Sequence, residues 1–97
     1  MNPDTTPGPA VRHNPAAGRF EIETDGHRSI IDYARADRMI TFTHTFVPGE
    51  LRGRGLAEKL VRAALEYART EQLRVVPECS YVAKFIGRHA EYQSLVQ

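Results

Sequence analysis

The stretch TFTHTFVPGELRGRGLAEKLVRAALEYA, Thr41 to Ala68, decides the fold. Its period changes partway along. From Met39 to Val47 the side chains alternate, with Ile40, Phe42, His44 and Phe46 on one face and Met39, Thr41, Thr43, Thr45 and Val47 on the other. Threonine and phenylalanine suit the pleated, half-buried surface of a strand. From Leu56 the apolar positions instead recur every three or four residues, at Leu56, Leu60, Val61, Ala64, Leu65 and Ala68. That spacing predicts a helix over about Gly55 to Thr70. Glu58, Lys59, Arg62, Glu66 and Arg69 fall on its polar face, where Glu58 can reach Arg62 one turn on.

Working upstream, Phe20 and Ile22 alternate with Glu21 and Glu23, and Asp25-Gly26 follows as a hairpin signal because glycine accepts a positive φ. A second strand runs over about Arg28 to Arg35, and Ala36-Asp37-Arg38 turns the chain into the Met39–Val47 strand. Downstream, LRVVPEC reads as a short strand. Pro77 has no N–H to donate to a ladder, so it belongs at an edge or a gap. SYVAKFIGRH reads as a second helix with Ser80 as N-cap, and AEYQSLVQ as a short tail with at most one more helical turn. The expected class is α+β, with element order β-β-β-α-β-α and a mixed, mostly antiparallel sheet. Strand, helix and strand from Thr41 to Cys79 make one right-handed crossover between parallel neighbours. Residues 1–17, rich in Pro, Gly, Ala and Thr, read as a flexible tail, and residues 18–97 as one domain.

Composition narrows the function. Ninety-seven residues bound the chain to a single domain, and a 41% hydrophobic, 26% charged balance is that of an ordinary globular protein. A formal net charge of +1 argues against nucleic acid as a partner held by bulk charge, although Arg52, Arg54 and Arg62 leave a local basic cluster. No apolar run is long enough to span a bilayer. One cysteine, Cys79, cannot form an internal disulfide, which fits a reducing, cytoplasmic setting. It also excludes a multi-cysteine zinc site. His89-Ala90-Glu91 has the H-x-E of zinc deaminases without the cysteines that would complete it, so no metal is expected.

RGRG stands at the mouth of the long helix. The first turn of a helix carries unpaired N–H groups and a partial positive charge. Glycines let an anion approach that backbone, and arginine offers a forked donor that suits phosphate. Arg52, Gly53, Arg54, Gly55, Leu56 and Ala57 supply these features together and point to a phosphate or pyrophosphate. A P-loop would need Lys-Ser/Thr after Gly55, where Leu56-Ala57 stand. The competing reading is a glycine-containing loop with solvated arginines.

Arg52-x-x-Gly55-x-Ala57 resembles the Q/R-x-x-G-x-G/A signature of the GNAT superfamily of acetyl-CoA-dependent N-acetyltransferases. With CSYVAKFI, Cys79 to Ile86, it resembles a small single-domain GNAT-like subfamily over about Arg19 to Val96. The resemblance implies a minimal GNAT fold that binds acetyl-CoA. Backbone at Phe46 and Val47 would hold the pantetheine arm, N–H groups from Arg52 through Ala57 would cradle the pyrophosphate, and Ser80 and Lys84 would face the cofactor. It also implies that the two parallel strands splay and admit the acyl arm between them, which agrees with the placement of Pro77. Two departures stand out. The family motif N-x-x-A-x-x-L-Y matches at Ser80, Ala83 and Ile86 but has Gly87 where the tyrosine that protonates the leaving thiolate stands. The helices and final hairpin that usually build the acceptor pocket have no counterpart.

Two residues are candidates for the chemistry. Cys79 ends a strand beside the implied acyl arm and precedes a helix N-terminus, which favours a thiolate that accepts and passes on an acetyl group. Its alternative is a small buried hydrophobe. His44 offers a general base for an amine, against the alternative of a packed core histidine. Glu78 alternates to the other side of its strand from Cys79, and Tyr81 and Tyr92 read as packing residues. The expected activity is transfer of acetyl from acetyl-CoA to an unidentified amine. The rival is a CoA-binding or interaction module with little transferase activity.

Overall fold

The computed structural model describes residues 10–96. Strands β1 (Arg12–Asn14), β2 (Arg19–Thr24), β3 (His27–Ala36) and β4 (Met39–Phe46) precede helix α1 (Leu56–Thr70). Strand β5 (Arg74–Pro77) and helix α2 (Ser80–Arg88) follow. Short 3-10 turns occupy Gly49–Leu51 and Ala90–Leu95. The strands form one five-stranded sheet in the order β1-β2-β3-β4-β5, antiparallel throughout except for the parallel β4–β5 pair that α1 connects. The α+β class and the mixed sheet are those expected.

The core lies between one sheet face and the helices. Leu56, Leu60, Val61, Ala64, Leu65 and Ala68 of α1 are all buried, as are Phe20, Ile22, Ile31, Ile40, Phe42 and Val75 of the sheet and Val82, Phe85 and Ile86 of α2. Fully burying one such leucine or phenylalanine stabilises by about 1.5–3 kcal/mol. Most residues that alternate with these along the strands, such as Met39, Thr41 and Arg74, are exposed or half-buried, so the second face of the sheet is largely open, with buried Glu21 an exception.

The N-terminal tail expected over residues 1–17 needs correction. Residues 1–9 lie outside the described residues, and Arg12–Asn14 is a strand paired with Arg19–Glu21. The element order therefore gains a strand before the expected β-β-β-α-β-α. Three residues are too few to carry a period, and what holds them is tertiary. The His13 ring stacks on Phe20 at 4.2 Å between centroids, meets Tyr67 edge-on at 4.6 Å, and shares a 2.6 Å hydrogen bond with the Tyr33 hydroxyl. Further along, Cys79 rather than Ser80 is the N-cap of α2, and the C-terminal segment is a 3-10 turn that buries Tyr92, whose hydroxyl donates to Glu66 of α1.

A second correction bears on the site. In the β3–β4 ladder Asp32 stands opposite His44 while Tyr33 stands opposite Phe42, so Thr43 has no partner. This is a β-bulge, which inserts one residue and turns every later side chain to the other face. Directly opposite residues share a face. Thr45, opposite buried Ile31, therefore joins the core face, while His44 and Phe46, opposite Asp32 and Ile30, lie on the open face. Ile40 and Phe42 do not share a face with His44 and Phe46 as simple alternation suggests.

Candidate functional site

The site forms where β5 leaves β4. Their ladder ends at Phe42 opposite Pro77, and one further bond, from the Cys79 N–H to the Phe42 carbonyl at 2.9 Å, closes it. Past that point no described strand pairs with β4 on this side, although β3 still pairs with it on the other. Pro77 sits at the end of the edge strand, where a missing N–H leaves no ladder bond broken.

Beside this gap lies a cleft of about 370 Å³. Thr45 and Val47 form one wall. Leu51, Arg52, Gly53, Gly55, Leu56, Ala57 and Glu58 form the second, and Tyr81 closes it from α2. The second wall is the mouth of α1. Gly53 and Gly55 have left-handed φ of 86° and 76°. A Cβ at either would meet no protein atom within 4 Å, so backbone conformation, not crowding, demands glycine there. The first helical bond is Lys59 N–H to Gly55 O at 3.1 Å, and no side chain caps the helix. The N–H groups of Leu56, Ala57 and Glu58 thus lack intrahelical partners. A left-handed residue followed by a right-handed one turns successive N–H groups into one concavity, an anion-binding nest.

The two arginines behave differently. Arg52 is exposed and lines the cleft. Arg54 does not line it, and its guanidinium donates to Asp25 of the β2–β3 turn at 3.0 Å. Glu58 does line the cleft, and its carboxylate is met by Arg62 at 3.4 Å.

Cys79 is half-buried, with Sγ 3.5 Å from Thr45 Oγ1. Burial pushes its thiol up, but the Thr45 hydroxyl and the N–H groups of Val82, Tyr81 and Thr45 outweigh that and hold it below the usual thiol range. No side-chain capping bond closes at this position, so the two α2 amides act on the sulfur without completing a cap. The thiol touches the cleft through Thr45.

The other expected residues are dispersed. Val47, Leu56 and Ala57 line the cleft, but the Phe46 side chain is 47% exposed on the open face. Ser80 is exposed and lines no cleft wall. Lys84 lines an adjoining hollow of about 300 Å³ with Phe85 and Arg88, which meets the cleft at Glu58 and Tyr81. His44 is exposed, which removes the core-histidine alternative, and lies across the sheet from the cleft walls. Sequence reasoning missed Thr45, Glu58 and Tyr81. Tyr81 was findable, because Val82, Phe85 and Ile86 define the buried stripe of α2 and leave Tyr81 beside it, 41% exposed. Burial, then the charge of Glu58, raises the Tyr81 phenol, against a lowering by Arg88.

Comparison with known proteins agrees with this fold. The sequence profile of the GCN5-related N-acetyl-transferase family matches residues 19–95. Protein NATD1 of Bos taurus is 34% identical over 79 residues, covering 78% of this chain and 70% of that protein. Protein NATD1 of Homo sapiens is 32% identical over 79 residues, with 78% and 70% covered. The solution structure of a GCN5-like protein from Staphylococcus aureus superposes with a TM-score of 0.71 at 27% identity, over 91% of this chain and 87% of that one.

Proposed function

Because this chain belongs to the GCN5-related N-acetyltransferase family, we propose that its cleft binds acetyl-CoA and that the protein transfers the acetyl group to an amine. The observation that carries this is the uncapped, doubly left-handed mouth of α1 opening onto the free edge of β4. The residues fit the cofactor in kind. N–H groups from Gly53 through Ala57, with Arg52, suit a pyrophosphate. Backbone at Phe46 and Val47 suits an amide-bearing arm laid along the strand edge.

When bound, acetyl-CoA supplies an activated thioester. The chain contributes position and protons. Backbone N–H groups near Phe46 and Val47 steady negative charge that develops on the acyl oxygen. On one route the Cys79 thiolate, favoured by Thr45, would attack the thioester carbonyl and release CoA as its thiolate, and the amine would then take the acetyl group from sulfur and return the Cys79 thiolate. On the other route the amine would attack the thioester directly and expel CoA as its thiolate. An amine arriving through the gap from the open face would meet His44, whose imidazole can receive the proton that the new ammonium loses. Ser80 and Lys84, exposed on α2, would reach the outer parts of the cofactor.

The second reading is a protein that holds CoA with little transfer. Gly87, with no side chain for proton donation, and the separation of His44 from the cleft favour it. Calorimetric titration with CoA tests the shared claim, and absence of binding at millimolar ligand contradicts it. A panel of amines separates the two readings. Intact mass after acetyl-CoA incubation tests the covalent route, which predicts a single acetyl adduct absent from Cys79→Ala.

A further inference from the structure

We infer that Asp25 is a positioning residue for the anion cradle, holding its loop through Arg54. The inference rests on the reading of that loop as the phosphate site. Asp25 and Gly26 form the two-residue turn between β2 and β3, with φ of 52° and 77°. Two left-handed residues in this place are the signature of a type I′ turn, and the Thr24–His27 pair fixes its register. Either Asn or Asp suits the first position, but only Asp brings a charge. That charge reaches 29 residues along the chain to Arg54, Asp25 Oδ2 to Nη1 at 3.0 Å.

Arg54 sits between the two left-handed glycines, Gly53 and Gly55. Glycines lose more freedom on ordering than any other residue, so a ligand that orders this loop alone bears a large entropic cost. A tether from the rigid hairpin imposes part of that order beforehand. The cleft wall agrees, since Arg52, Gly53 and Gly55 line it and Arg54 does not. One arginine of RGRG faces the ligand and the other faces the scaffold. Both members of the pair are half-exposed or more, and exposed pairs add little to global stability. The effect should therefore appear in ligand affinity and loop order, with the fold unchanged.

The test is a double-mutant cycle with Asp25→Asn, which keeps the turn, Arg54→Gln, and both together. CoA affinity is measured by calorimetry, loop amide exchange by NMR without ligand, and the melting midpoint as a control. A strut predicts a loss of about threefold to fivefold in CoA affinity for each single variant and no further loss in the double. It also predicts equally faster exchange at Gly53 to Leu56, and unchanged melting. Acetyl-CoA KM should rise while kcat holds. The inference is overturned if Asp25→Asn leaves CoA binding intact or tightens it while Arg54→Gln weakens it, because Arg54 then grips the phosphate itself. If wild-type protein binds no CoA, the phosphate reading falls, and the exchange data alone decide the strut: unchanged loop exchange in Asp25→Asn overturns it.

Discussion

The two halves of β4 make different kinds of surface from one run of residues. Met39–Phe42 is laddered on both sides, to β3 and to β5, and its Ile40 and Phe42 are fully buried. Thr43–Phe46 begins with a bulge, pairs only with β3, and exposes His44 and Phe46. The first half is held in place by packing. The second gives up a strand partner and its regular alternation, and what it gains is a free edge beside the mouth of α1.

The sharpest way to break this comparison is to truncate one phenylalanine from each half. Phe42→Ala should cost about 3–5 kcal/mol, and Phe46→Ala no more than about 0.5 kcal/mol, in urea unfolding. Similar costs would mean that the bulge does not rephase the strand. Next in size is the loop. Gly55→Ala should cost about 1–2 kcal/mol because its φ is 76°, and CoA affinity should fall with it. Loss of affinity without loss of stability would point to a ligand contact instead of backbone strain.

Smaller still is the link between Thr45 and Cys79. Thr45→Ala removes a hydroxyl that favours the thiolate, so the midpoint of iodoacetamide alkylation against pH should move up. The least effect belongs to the far edge, at β1. Burial, then the charge of Arg35, lowers the His13 pKa. The unfolded chain therefore binds the proton more readily, and the stability His13 contributes is complete above about pH 6.5 and lost as pH falls through the lower folded value. Urea midpoints at pH 7 and pH 5 should differ more for wild type than for His13→Gln.

How legible each feature was follows from its range. The helix over α1, the Asp25-Gly26 turn and the RGRG mouth are written in local periodicity and turn chemistry, and the structure has them within a residue or two. The bulge at Thr43 is not, because a Thr-Phe-Thr-His-Thr-Phe run alternates perfectly on paper and only pairing with β3 reveals the extra residue. Strand β1 was hidden for the same reason, since His13 is held by Phe20, Tyr33 and Tyr67 and not by its neighbours in sequence. Arg54 shows the limit most plainly. Its place between two glycines reads as a phosphate ligand, yet its partner is an aspartate 29 residues away.

The most direct test of the account is the amide spectrum of the protein titrated with CoA. The cleft reading predicts shifts concentrated at Gly53 to Glu58 and Thr43 to Val47, with Met39 to Phe42 nearly still. Shifts confined to other parts of the sheet, or none at saturating CoA, would contradict it.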